Sequence, residues 1–124
     1  MTDATPLPAG TLAELRHALL ERRATLRERL REEAAELDLV RGARADAADD
    51  EHDPEGSTLS SDWSRIAGLR DATRSRLTAV DRALERIDGA AYGRCLRCGG
   101  QIAVDRLEAR PEAEHCIDCA RAMS

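Results

Sequence analysis

Four cysteines near the C-terminus are the part of this sequence best suited to chemistry. Cys95-Leu96-Arg97-Cys98 and Cys116-Ile117-Asp118-Cys119 are separated by 17 residues, giving C-x2-C-x17-C-x2-C. That spacing matches a four-Cys zinc site, in which each pair spans one edge of a tetrahedron. Gly99-Gly100 after the first pair lets the backbone turn tightly enough for its N–H groups to face the sulfurs. Four thiolates leave no open position for water or substrate, so the expected ion is one structural Zn²⁺ held by Cys95, Cys98, Cys116 and Cys119. A redox pair usually sits at a helix start after a buried strand, and no βαβ pattern occurs here. Two disulfides would suit a secreted chain, but MTDATPLPAG lacks the basic start and apolar run of a signal peptide. His115, next to Cys116, reads as an exposed or outer-lying neighbour and not as a ligand.

Such a module needs a scaffold, and the residues ahead of it predict one. Thr11 stands three residues before Glu14, the spacing of a capping box. Leu12, Leu15, Leu19, Leu26, Leu30, Ala34, Leu37 and Val40 then recur at steps near three or four, with Arg22 the polar intruder. Trp63, Ile66, Leu69, Leu77, Val80, Leu84 and Ile87 repeat the pattern, with Thr73 the exception and Gly89 placed as a helix C-cap. Between the stripes, His52-Asp53-Pro54-Glu55-Gly56 is turn chemistry, because Pro interrupts a helix and Gly permits a reversal. Two stripes joined by a turn pack as an antiparallel pair on the order of 45–55 Å long. The expected fold is mainly α: a long antiparallel two-helix coiled-coil hairpin with a small C-terminal four-Cys zinc-finger module. Residues 1–10, with two of the four Pro, read as a disordered arm, 11–90 as the hairpin and 91–124 as the zinc module.

Composition fits an elongated helical chain. Among 124 residues, 42% are hydrophobic and 35% charged, but Trp63 and Tyr92 are the only aromatics, which leaves little material for a large single core. The net charge of −5 is concentrated: residues 46–55 carry six acids and no base, which places an acidic tip at 46–57. Every base is an Arg, for there is no Lys. No stretch approaches the roughly 18 apolar residues of a membrane span, so a cytoplasmic protein is expected. The module lacks the basic stripe with stacking aromatics of a nucleic-acid binder. Carboxylates on an exposed turn are equally poor acid/base catalysts, which argues against an enzyme.

The assembled residues resemble the DksA/TraR family of zinc-finger transcription factors. The resemblance rests on Tyr92-Gly93-Arg94-Cys95-Leu96-Arg97-Cys98-Gly99, Ile102, Arg106-Leu107-Glu108-Ala109-Arg110-Pro111 and Cys116-Ile117-Asp118-Cys119, about 30 residues. The hairpin with its acidic tip adds a weaker match over residues 11–88. The resemblance implies a regulator that binds RNA polymerase, not DNA. In that family the zinc module docks near the rim of the secondary channel, and the hairpin tip approaches the catalytic magnesium region.

The family's activity depends on two Asp in a D-x-x-D-x-A pattern. Asp50-Glu51-His52-Asp53 supplies D-x-x-D with Glu55 in the Ala place, whereas measuring back from the zinc cysteines aligns Asp53 with the first Asp and Gly56 with the second. Asp53, Asp50 and Glu55 are therefore the expected active-site-facing residues. The resemblance also implies guanosine tetraphosphate as a joint effector, held partly by an Arg that matches Arg110 and partly by lysines that this chain lacks. A monomeric RNA polymerase regulator is the leading expectation. A zinc-stabilised coiled-coil adaptor for another protein and a direct nucleic-acid-binding zinc finger are the alternatives.

Overall fold

The computed structural model describes residues 7–47 and 55–124. Four helices run in chain order: α1 (Ala9–Ala47), α2 (Glu55–Asp88), α3 (Val104–Ala109) and α4 (Ile117–Ala122). The chain forms two compact units, one of residues 1–24 with 78–124 and one of residues 25–77. Both long helices contribute to each unit.

In the unit of residues 25–77, Glu33 of α1 meets Thr73 of α2, and Arg41 and Arg44 meet Trp63. Partners that descend along α2 as they ascend along α1 make the pair antiparallel. The apolar seam follows a seven-residue period. Leu26, Leu37 and Ile66 are buried in it. The same period carries Glu33 and Thr73 into the seam, each more than nine-tenths buried at 7% and 4% exposure. Glu33 falls seven residues after Leu26 and seven before Val40, so the helix turns it inward whatever its polarity. On α2 the register of Trp63, Leu77 and Leu84 puts Arg70, not Leu69, on the seam. Leu69 is correspondingly half exposed, which corrects its expected place in the stripe.

The other unit has its own antiparallel contacts, Arg16–Asp88 at 2.9 Å and Arg23–Asp81 at 3.9 Å. Leu19, Val80, Ala83 and Leu84 are buried between the helices. A second small core joins Leu15 of α1 to Cys95, Ile102, Leu107 and Ala113, with Leu7, Tyr92, Cys116 and Cys119 packed against it.

The helix ends depart from expectation in two places. α1 begins at Ala9, with Leu12 N–H donating to the Pro8 carbonyl at 2.9 Å, so Thr11 lies inside the helix and caps nothing. Leu7, expected within a disordered arm, packs on Gly93 and the module core; residues 1–6 lie outside the described residues. At the end of α2 the Ala91 N–H reaches the Arg86 carbonyl (2.8 Å) and the Ala90 N–H the Ile87 carbonyl (3.2 Å), a Schellman closure. Its left-handed residue is Ala90 at φ 58°, one place beyond Gly89. None of the described helices is long and apolar enough to cross a membrane.

Candidate metal centre

The first cysteine pair is carried by a tight hairpin-like turn. An isolated antiparallel bridge joins Arg94 to Gln101, Cys95 N–H donates to the Gly100 carbonyl (2.8 Å), and Ile102 N–H to the Gly93 carbonyl (2.8 Å). Gly99 N–H closes back on the Cys95 carbonyl at 2.9 Å. Gly93 and Gly99 sit at φ 89° and 75°, the left-handed region that a side chain would strain. The second pair opens α4: Cys116 is its N-cap residue, and its sulfur accepts the Cys119 N–H at 3.5 Å. Gly100 N–H points to Cys98 Sγ at 3.4 Å, so each pair holds one sulfur with a backbone donor.

The turn and the helix start bring all four sulfurs within 4.8 Å of one another. Four sulfurs about 2.3 Å from a common zinc stand about 3.8 Å apart, and Cys98 Sγ lies 3.9 Å from Cys116 Sγ. A disulfide needs about 2.05 Å, and all four cysteines are free. The residues therefore fit a tetrahedral four-thiolate ion, and among the described residues only these four ligands group in this way. His115 is not in the group; its carbonyl accepts from Arg106 Nε at 2.9 Å.

The electrostatics of the donor set point the same way. Burial opposes a charge on Cys95, yet the backbone N–H groups of Cys98, Cys116 and Arg97 and the Cys119 side chain bring its thiol down to about 6. Hydrogen bonding with Cys116, then burial, pushes Cys119 up to about 12. A bound dication would offset the cost of gathering four thiolates in so small a space.

Around the cysteines, ion pairs tie the module to the helices of its own unit. Arg22 Nη1 donates to both carboxylate oxygens of Glu112, at 2.8 and 2.7 Å. The residue that breaks the apolar stripe of α1 is thus an anchor for the module, a role that no local sequence signal announces. Arg82 and Arg86 each stand 4.0 Å from Glu114. Tyr92 donates its hydroxyl to the Pro111 carbonyl at 2.8 Å. Burial raises the Tyr92 pKa to about 12, with Arg86 acting to lower it and Glu112 to raise it.

The remaining expected site residues are placed unevenly. Arg110 is 65% exposed and lies 3.9 Å from Glu112, within its own module. Asp50 and Asp53 fall outside the described residues, and for Glu55 only its place at the start of α2 is given.

Comparison with known proteins bears on the module first. Residues 90–123 match the prokaryotic dksA/traR C4-type zinc finger. Over 50 residues the chain is 40% identical to the RNA polymerase-binding transcription factor DksA of Escherichia coli K12, a match that covers 40% of this chain and 33% of that protein. The corresponding protein of Haemophilus influenzae is 42% identical over 50 residues, covering 40% of this chain and 34% of its own. The match thus spans about a third of the length of these relatives.

Two solved structures extend the likeness to the hairpin. Transcription factor DksA2 from Pseudomonas aeruginosa superposes with a TM-score of 0.76 at 25% identity, covering 99% of this chain and 90% of that one. The DnaK suppressor protein from Agrobacterium tumefaciens C58 shares the fold, with a TM-score of 0.59 at 23% identity over 98% of this chain and 99% of that one. The C-terminal residues 90–123 are thus similar to a dksA/traR C4-type zinc finger, and the helical pair that carries them is similar in fold to DksA2.

Proposed function

We propose that this protein is a non-enzymatic transcription regulator that binds RNA polymerase, with one structural zinc ion holding its C-terminal module in shape. The observation that carries the reading is the cysteine cluster within residues 90–123, which combines the right geometry for the metal with the match to the dksA/traR finger. The relatives are named as RNA polymerase-binding transcription factors, which supports the choice of partner.

The finer mechanism is an insertion of the hairpin into the polymerase secondary channel, so that the acidic tip approaches the active site and modulates initiation. The concentration of six acids in residues 46–55 supports it, because carboxylates suit a basic, Mg²⁺-rich surface. Asp53 has the leading role at the tip, with Asp50 and Glu55 beside it. Arg110 is assigned a polymerase contact. A role for it in holding guanosine tetraphosphate would require partner cations, which a lysine-free chain supplies only as Arg. The protein acts as a cytoplasmic monomer in this reading and makes no direct DNA contact.

Capture of core RNA polymerase on the immobilised full-length protein, with and without a chelator, tests the reading. Binding should require the metal. Asp53→Asn should bind polymerase as wild type does yet lose its effect on transcription in vitro. Wild-type regulation by that variant would refute the tip mechanism, and absence of capture would refute the partner.

A further inference from the structure

The buried part of the helical seam ends well before the helices do. Toward Ala47 on α1 and Glu55 on α2, Leu37 and Ile66 are the last buried side chains among the described residues. Past them α1 continues through residues 38–47 and α2 runs back through residues 65–55, about 15 Å of each helix. Leu39 is 76% exposed in this stretch, and Val40, Ala43 and Leu59 are half-buried. α1 is weakened further at Gly42, where an added Cβ would meet nothing within 4 Å. No close approach calls for glycine there, and a glycine inside a helix lowers its stability.

Trp63, half-buried on α2, ties these stretches together. The Arg41 guanidinium carbon lies over its ring at 5.4 Å from the centroid, and that of Arg44 at 5.5 Å. Both distances fall inside the roughly 6 Å at which the negative face of an aromatic ring attracts a cation, and Trp is the strongest such ring. Arg41 and Arg44 are three residues apart and bracket Gly42, so they lie on one side of α1 and meet one ring from both sides of its weak position. Arg41 also stands 3.7 Å from Asp38, but both side chains are largely exposed and such a pair adds little. Arg44 belongs to the last turn of α1, where a cation also meets the helix dipole favourably.

We infer that Arg41 and Arg44 clasp Trp63 across the two helices, and that this clasp sets where residues 48–54 leave α1 and enter α2. The inference rests on the proposed function, in which carboxylates of residues 46–55 act on RNA polymerase; Arg41, Arg44 and Trp63 are positioning residues for them. A cation–π clasp suits an exposed, charged stretch better than another apolar layer does. A guanidinium stacks on the ring while its edge stays in water, so the helix ends are joined without adding an exposed apolar patch.

Amide hydrogen exchange on the full-length, zinc-loaded protein reads the clasp, and transcription in vitro beside core RNA polymerase binding reads its role. Arg41→Gln/Arg44→Gln and Trp63→Leu should each speed exchange at residues 43–47 and 58–62 roughly fivefold or more, with residues 80–88 unchanged. Both variants should bind polymerase as wild type does yet lose most of the effect on transcription. Trp63→Tyr keeps a ring and should retain part of both properties. Adding Gly42→Ala to the Arg pair should restore much of the protection and of the regulation, because the methyl group strengthens the helix without meeting another atom. Unchanged exchange in the Arg and Leu variants overturns the clasp. Faster exchange with wild-type regulation overturns the positioning role and leaves the functional reading standing. Wild type that neither binds nor regulates overturns that reading and the positioning role together, while exchange in the free protein still decides the clasp.

Discussion

The two compact units solve the same problem, a chain short of aromatic residues, by different means. Residues 25–77 rely on the helical seam, with Leu26, Leu37 and Ile66 buried and a polar pair set between them. Residues 1–24 with 78–124 add a thiolate cluster, a bidentate Arg22–Glu112 pair and a second core around Ile102 and Leu107. The difference separates two kinds of stability. The first is spread along a repeating pattern and degrades gradually; the second is concentrated at one ion and fails at once. Each unit also carries its own aromatic reporter, Trp63 in one and Tyr92 in the other.

Removing the metal should break the comparison most severely. A structural zinc contributes folding free energy on the order of 10 kcal/mol, so chelation should unfold the cysteine module first. Tyr92 absorbance should change before Trp63 fluorescence, and helical circular dichroism should fall in two stages as chelator is added. Simultaneous loss of both signals would show that the two units stand or fall together.

The next largest effect belongs to the polar layer. Thr73 donates its hydroxyl to Glu33 Oε1 at 2.7 Å, and its oxygen also lies 3.0 Å from the Leu69 carbonyl. Glu33 Oε2 is buried without a hydrogen-bond partner. Thr73→Val strands the whole carboxylate and should cost about 1–3 kcal/mol. Adding Glu33→Leu should recover most of that loss, since an apolar pair of similar volume is often as stable as the polar one. Denaturant unfolding followed by Trp63 fluorescence measures both, and a double variant as weak as the single would show that the seam needs this pair.

Smaller still is the effect at the end of α2. Ala90 holds a left-handed conformation that costs a non-glycine residue about 1 kcal/mol. Ala90→Gly should therefore raise the stability of the module unit by about that amount in thermal unfolding, with little change in Trp63 fluorescence at low denaturant.

Alkaline titration gives the finest discrimination. Burial holds the Tyr92 hydroxyl protonated to about 12, against an ordinary value near 10. The folded protein keeps that proton where the unfolded chain has lost it, so the contribution is fully present below pH 10. It declines as pH rises from about 10 to about 12. Tyrosinate absorbance reads this one residue directly, and chelation should return its midpoint toward the ordinary value.

Much of this architecture was legible in the sequence because it depends on periodicity and spacing. The cysteine spacing is a geometric statement about a tetrahedron, and the sulfurs meet as it requires. The apolar stripes found the two helices, since a seven-residue repeat has few other solutions. What escaped detection depended on contacts distant in sequence. The apolar stripe passed over Glu33 for its neighbour Ala34, although Glu33 stands seven residues after Leu26. Leu69 looked like a core residue for the converse reason. Thr11 and Gly89 carried the right local signals for helix ends, but Pro8 and Ala90 occupy the positions that do the work. Arg22 could not be read at all, since its partner Glu112 lies 90 residues away.

That separation has a consequence for how the chain is made. Leu15 and Arg22, near the start of α1, find their partners among residues 95–113. A ribosome delivers the first helix long before those partners exist, so Arg22 waits for 90 further residues to be made. Contacts of such long range form late and slowly. The nascent chain therefore cannot complete its metal-bearing unit until Cys119 has left the ribosome, and the interval before that is when the waiting apolar residues are most open to aggregation and to proteases.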